Sequence, residues 1–387
     1  MKIHYLYKLS RLMIMMSMLC FVSCLEDHTD TLHLVPGIND SGLSSDYLAD
    51  ENPQIGNANA SIPNVYYTIE GEGDDAVVRL DMTGIQNPAT RDWVRLIGTA
   101  ETGTNVWLCV DCQPKYIQVY NTIDDVDETI VAKNDIVFLV DNSGSMDAEA
   151  DAIARDIVSW SKSLTSKFDV CFGCVGYNGL ITGAINMTTV ENVSQYLNRS
   201  SGIDRTFGFS GSDASRLKSA AYSYDLISQE ECGVAALRYA DENFTFRQGA
   251  NRIYINFTDE PNQPGGKSGF SVRYLESQTT WPTTKGTIHT VYSGSTSFTE
   301  SSFSREKPWK MSDYTGGTTL YTSGSFSGVS LQNLPVTSAI QNSYIIRFSN
   351  ISEFMDGKSH EIKITVYAED GAVRAERRFY INFGSHS

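Results

Sequence analysis

Ile136-Val-Phe-Leu-Val140 runs directly into Asp141-Asn-Ser143-Gly-Ser145: five apolar residues, then one carboxylate and two hydroxyls at alternate positions. An apolar run without polar alternation suits a strand buried on both faces, as in the centre of a parallel sheet covered by helices. The loop after such a strand emerges at its carboxyl end, where open α/β sheets bind their ligands. Oxygen donors with no His or Cys beside them suit a hard divalent cation, and the hydroxyls leave room for water or a partner's carboxylate. The same residues also fit a plainer reading as a helix start, with Ser143 or Ser145 as N-cap and Asp147 and Glu149 favoured by the helix dipole.

Working outward, strands and helices alternate. Asp147 to Leu164 carries Ile153, Ala154, Ile157, Val158 and Leu164 on roughly one helical face, so a helix begins at the loop. Strand patterns follow at Phe168 to Val175, at Gly183 to Met187 (an expected edge strand), at Arg252 to Phe257 and at Thr287 to Tyr292. Helical patterns cover Val190 to Leu197, Ser215 to Leu226, Gly233 to Asn243 and Val329 to Ile340, and the Gly-, Ser- and Arg-rich stretch Asn198 to Asp213 reads as an insertion. This alternation predicts an α/β domain with a doubly wound, mostly parallel, Rossmann-like sheet. The mostly apolar strand Ile253 to Phe257 leads to Thr258-Asp259, so two strands deliver a carboxylate to one edge of the sheet. Glu231, just before a helix, offers a third loop, although Glu230 or Glu231 alone is adequately explained as a helix cap. Carboxylates gathered there repel one another unless a divalent ion lies between them.

On either side the pattern is that of short strands. Val65 to Ile69, Ala76 to Met82, Trp93 to Ile97, Asn105 to Cys109 and Tyr116 to Tyr120 are separated by turn formers, and Tyr344 to Phe348, Glu361 to Ala368 and Val373 to Ile381 follow the α/β segment. Strands at this spacing suggest flanking antiparallel β-sandwich segments. Three strands alone make a poor domain. The final set is therefore expected to pair with the first, making the α/β domain an insertion, with two separate β modules as the alternative. The expected divisions are a signal peptide at 1–23, a polar tether at 24–63, a β segment at 64–130, the α/β domain at 131–340 and a closing β segment at 341–387.

Lys2, Lys8 and Arg11 precede an apolar run, Leu12 to Val22, of 11 residues, well short of the ~20 needed to span a bilayer. The ending Phe21-Val-Ser-Cys24 resembles a bacterial lipobox, which implies lipidation at Cys24, and the following Leu-Glu-Asp resembles the surface-export signal of Bacteroidetes lipoproteins. The implied location is a lipoprotein of the outer membrane, exposed at the cell surface and held to the membrane by its lipid. The net charge of -16 opposes nucleic-acid binding, which needs a basic stripe. Cys109/Cys112 and Cys171/Cys174 lie in or beside strand-like runs, where residues three apart face opposite sides. That geometry opposes a zinc site; buried free thiols are the leading expectation, with a disulfide as the alternative. No Ser-His pair or Gly-rich phosphate loop can be assembled, so the chain is not expected to be an enzyme.

Asp141-x-Ser143-x-Ser145 after a buried strand, Thr258-Asp259 after a second and Tyr314-Thr-Gly-Gly further on together resemble a von Willebrand factor type A domain, over about Asn134 to Ile340. That resemblance implies a metal-ion-dependent adhesion site in which Ser143 and Ser145 bind the metal directly and Asp141 and Asp259 do so directly or through water. The third loop, Ser228-Gln-Glu-Glu-Cys-Gly, is more similar to the integrin β-subunit version, in which a Glu replaces a Thr. Glu231 best matches that position, ahead of Glu230, Thr206 and Asp213. Asp147 and Glu149 would support a second, adjacent ion or be solvated first-turn acids. Mg²⁺ suits few protein oxygens plus water, with Ca²⁺ or Mn²⁺ as alternatives. The implied function is adhesion: capture of an Asp or Glu carboxylate of a protein partner. A scaffold role in a surface fibre or envelope complex, with no metal-dependent capture, is the competing expectation.

Overall fold

A computed structural model describes residues 51–99, 101–122, 133–166, 168–226, 230–322 and 335–384. The expected signal peptide, the lipidation at Cys24 and most of the tether lie outside the described residues, as do Ser228 and the first part of the helix expected at Val329 to Ile340. Among the described residues no helix is long and apolar enough to cross a membrane.

The described residues are mixed α/β, with one seven-stranded, mostly parallel sheet and two antiparallel sheets. In chain order the strands are β1 (Tyr66–Glu70), β2 (Val77–Met82), β3 (Val106–Val110), β4 (Gln113–Lys115), β5 (Gln118–Asn121), β6 (Lys133–Asp141), β7 (Val170–Tyr177), β8 (Ile181–Thr188), β9 (Gly208–Ser210), β10 (Ala250–Thr258), β11 (Thr287–Tyr292), β12 (Thr319–Tyr321), β13 (Tyr344–Phe348), β14 (Ser359–Ala368) and β15 (Val373–Asn382). The helices are α1 (Asp147–Thr165), α2 (Val190–Asn198), α3 (Ala214–Ala221), α4 (Gly233–Asn243), α5 (Lys310–Thr315) and α6 (Pro335–Gln341).

The large sheet has the order β12-β11-β10-β6-β7-β8-β9. All neighbours are parallel except β7 and β8. Its centre is β6, whose alternate residues are buried on opposite faces. Ile136, Phe138 and Val140 pack under α1, α2 and α6, with Trp160 in the middle. Val137 and Leu139 pack under α3, α4 and α5, with Tyr239 and Trp281. Burial on both sides is the physical reason the run lacks polar alternation. After β6 the chain adds β7 on one side, and later returns to place β10 on the other. The order therefore reverses between β6 and β10, which opens a crevice at their carboxyl ends.

The antiparallel sheets, β1-β2-β13-β5 and β15-β14-β3-β4, share one core that includes Leu80, Leu108, Ile346, Ile362 and Phe379. β13 lies between β2 and β5, and β14 beside β3, so strands from before and after the α/β segment complete the same two sheets. This sandwich touches the α/β domain at the starting ends of its strands. The backbone N–H groups of Asn64 and Val65 donate to Thr287 (3.1 Å) and Thr283 (2.6 Å), and Asn64 Nδ2 donates to the Gly286 carbonyl at 2.7 Å. The crevice faces the other way.

Several elements differ from expectation. Trp93 to Ile97 forms no strand beyond a single bridge from Trp93 to Gln86. The Leu96 and Ile97 N–H groups donate instead to the side chains of Asn121 (3.0 Å) and Asn105 (2.8 Å), which take the place of a ladder. β8 is not an edge strand, because β9, drawn from the Gly- and Ser-rich stretch, pairs outside it. Gly183 permits this: a Cβ there would lie 2.2 Å from the Thr206 carbonyl oxygen. The helix expected at Ser215 to Leu226 stops at Ala221 and tightens into a 3-10 turn, Tyr222–Tyr224.

Candidate metal centre

Neither serine of the first loop caps a helix. A 3-10 turn, Gly144–Met146, leads into α1. The side chain of Ser143 makes no capping bond, and the residue at the α1 cap position is Met146, which has none to offer. The hydroxyls turn instead toward the second loop: Ser143 Oγ and Ser145 Oγ are 3.0 Å apart, and Ser145 Oγ donates to Asp259 Oδ1 at 3.1 Å. Behind them Asp141 accepts from its own loop, Ser143 N at 2.9 Å, and from β10, Thr258 Oγ1 at 2.7 Å. Asp141, Ser143, Ser145 and Asp259 thus form one chain of polar contacts across the crevice. Asp141 and Ser143 are buried at its base, Asp259 is half-buried, and Ser145 is exposed at its mouth.

Glu231 stands at the start of α4, but the cap there comes from Asn262, whose Oδ1 accepts from Val234 N at 3.1 Å. The loop after β10 is tied to it by Gln263 N, which donates to the Glu231 carbonyl at 2.8 Å. The Glu231 side chain is half-buried, close enough to Asp141, Asp259 and Glu260 for their charges to interact. Glu230 has one carboxyl oxygen buried with no hydrogen-bond partner.

The two first-turn acids of α1 part company. Asp147 is exposed and lies against Gly202. Glu149 is 1% exposed. It lies beside Ser293, feels the charge of Asp259, and leaves Oε2 without a hydrogen-bond partner among the described residues. Ser293 follows β11 as Asp141 ends β6 and Asp259 follows β10, so three adjacent strands contribute. Gly294 lets the loop after β11 close: a Cβ would fall 1.7 Å from the Asp259 carbonyl oxygen. Of the two weaker candidates one adjoins the first loop and the other does not. Thr206 is buried and accepts from Asn142 Nδ2 at 2.9 Å, and Asp213 pairs with Arg216 on the sheet's far flank. Tyr314-Thr-Gly-Gly lies by the starting end of β11, where Gly317 meets the Ile288 carbonyl.

Electrostatics give the cluster its character. Burial pushes the Asp141 carboxyl up to about 7, against the hydrogen bonds from Ser143 and Thr258 and with help from the charge of Glu231. Burial likewise raises Asp259, Glu149, Glu231 and Glu260; the charge of Asp259 adds to the last three. None of the five is in a salt bridge among the described residues. Arg305 offsets part of the charge on Glu260, from a distance.

Buried carboxylates with raised pKa and spare lone pairs, next to two hydroxyls, fit a hard divalent cation. Among the described residues no three His, Cys, Asp or Glu side chains converge tightly enough to hold an ion by themselves, so the serine hydroxyls are needed to complete a set. Sequence reading missed Glu260 and Ser293. Both carry the signal used for Asp141 and Asp259, a polar residue at the end of an apolar strand.

No family model matches the chain, and no curated protein matches it. Among solved structures it is similar to the pilus adhesin SpaC of Lactobacillus rhamnosus GG, with 10% identity and a TM-score of 0.29 over 82% of this chain and 47% of the other. For the pilus adhesin RrgA of Streptococcus pneumoniae the values are 14%, 0.25, 61% and 33%. For the human COPII-coat protein Sec24c they are 8%, 0.29, 86% and 61%. The chain spans less than two thirds of each of these three. Likenesses this weak fix neither family nor activity.

Proposed function

We propose that the crevice after β6 and β10 belongs to a von Willebrand factor type A-like domain and is a metal-ion-dependent adhesion site that captures a carboxylate of a protein partner. The observation that carries this reading is the orientation of Ser143 and Ser145, whose hydroxyls cap no helix and turn toward Asp259. Ser143 and Ser145 would hold the ion directly, Asp141 and Asp259 directly or through water, and Glu231 would contribute from the loop before α4, with Glu149 on the Asp259 side. Mg²⁺ suits this donor set best. A bound ion supplies the positive charge that the clustered carboxylates lack and one position open to an Asp or Glu of the partner. Thr258 and the Ser143 N–H orient Asp141, and the buried base of the crevice keeps bulk water from screening the charges. In the full reading the chain is an outer-membrane, surface-exposed lipoprotein held through Cys24 and is not an enzyme.

Calorimetry with Mg²⁺, Mn²⁺ and EDTA tests the metal. Absence of binding heat, or heat unchanged by Asp141→Ala and Ser143→Ala, refutes it. Affinity capture from surface extracts with and without EDTA tests the partner. Capture that survives both chelation and Asp259→Ala favours a scaffold subunit instead.

A further inference from the structure

A cleft of about 740 Å³ opens on the far flank of the large sheet, within the range of roughly 300 to 1,000 Å³ usual for ligand sites. It lies at the other end of the sheet from Asp141. β8 runs against β7, so Thr188, on the cleft, pairs with Phe172 near the start of β7, whereas Gly183 pairs with Gly176 at the crevice end. Asn192, Gln195 and Arg199, spaced at i, i+3 and i+7, form one exposed wall. Ser212, Asp213 and Arg216 form the other, and Asn186 lies between them.

The two carboxylates that line this cleft, Asp213 and Glu242, are already matched. Arg216 Nη2 donates to Asp213 Oδ2 at 2.6 Å and to the Asn243 carbonyl at 2.8 Å. Arg199 lies 3.9 Å over the Tyr196 ring and donates to the Phe207 and Gly208 carbonyls, while Glu242 pairs with Arg238 at 2.6 Å. A cationic ligand would have to break one of the carboxylate pairs, and an anionic one would meet Asp213 and Glu242 in the same lining. An added peptide strand is disfavoured too: β9 occupies the rim of β8 as far as Ile185, and the next N–H on the strand after Asn186, that of Met187, donates to Asn186 Oδ1 at 2.7 Å.

What remains is a dense set of amides and hydroxyls over a floor that includes Met187 and Phe244. We infer that this cleft binds a neutral oligosaccharide. Sugar hydroxyls both donate and accept, which suits Asn192, Gln195, Ser212 and the unshared Asp213 oxygen, and the C–H faces of the ring suit the apolar floor. The site is independent of the metal centre.

The test is an array of neutral oligosaccharides of animal and bacterial origin, probed with the full chain and followed by calorimetry on any hit. The Asn192→Ala/Gln195→Ala double variant should weaken a hit by about tenfold or more, as expected for one or two lost hydrogen bonds. Ser212→Trp, which fills the cleft from its lip, should abolish it. EDTA and Asp259→Ala should leave it unchanged, whatever becomes of the metal reading. No retained saccharide at millimolar concentration overturns the inference. So does binding that survives both cleft variants, or that is lost with EDTA.

Discussion

Asp141→Asn should stabilise the metal-free protein and remove its response to metal. In the fold the Asp141 carboxyl is raised from 3.8 to about 7 by burial. Between those values the folded chain holds a proton that the unfolded chain has lost, so stability is fully present below pH 3.8 and declines as pH rises through 7. At about 1.4 kcal/mol per tenfold, the loss is on the order of 4 kcal/mol. Asn is isosteric, can still accept from Ser143 N, and can donate to Thr258 Oγ1 once that hydroxyl turns. In EDTA at pH 8 the variant should therefore exceed the parent by up to about 4 kcal/mol, and the two should converge near pH 4. Mg²⁺ at a hundredfold excess over its Kd should return about 2.7 kcal/mol to the parent and nothing to the variant. Hydrogen exchange of the β6 and β10 amides reads the α/β domain separately from the sandwich. A variant less stable than the parent in EDTA at pH 8, or stabilised by Mg²⁺ as much as the parent, refutes the reasoning.

Three further outcomes can be checked. Glu306 is buried and accepts from Asn262 Nδ2, Ser271 Oγ, Val272 N and Phe303 N at 2.6 to 3.1 Å; Glu306→Ala should cost about 3 kcal/mol in urea denaturation by leaving these donors unmatched. Gly183→Ala should cost a similar ~3 kcal/mol and raise exchange at β9, since its Cβ would also lie 2.5 Å from the Gly208 carbonyl oxygen; unaltered exchange there would contradict the packing. For His360 burial opposes the charged form, but hydrogen bonds to Asp111 (2.7 Å) and Asp356 (2.9 Å) outweigh it and hold the imidazole above its ordinary 6.5. Its contribution is therefore complete below pH 6.5 and fades as pH rises through the folded value. An NMR titration of His360 should show the raised midpoint, and His360→Gln should remove that part of the pH dependence of stability.

The centre of the fold was legible because Ile136 to Val140 must satisfy two cores at once, and few arrangements other than a covered parallel strand allow that. Asp141 and Asp259 were legible because each interrupts such a strand. Other features depend on contacts between residues far apart in sequence. Asn105 and Asn121 replace a strand ladder at Leu96 and Ile97, which no local pattern announces. β9 is three residues within a Gly- and Ser-rich stretch, held by the absence of a side chain at Gly183. Asp147 and Glu149 both read as first-turn acids, but Glu149 shares the buried face of α1 with Ile153 and Ile157, and the Ser293 loop that meets it there comes from far away in sequence.

Because Asn121 pairs with Tyr344 and Thr122 N donates to the Ser343 carbonyl at 3.0 Å, the chain leaves and re-enters the sandwich at adjacent rungs of one antiparallel ladder. A tight hairpin turn could bridge that gap. To the host sheet, a domain of some two hundred residues and a two-residue turn are interchangeable connections. Recombination at that single point could gain, lose or exchange the whole α/β unit, crevice and cleft together, while the surrounding strands keep their register.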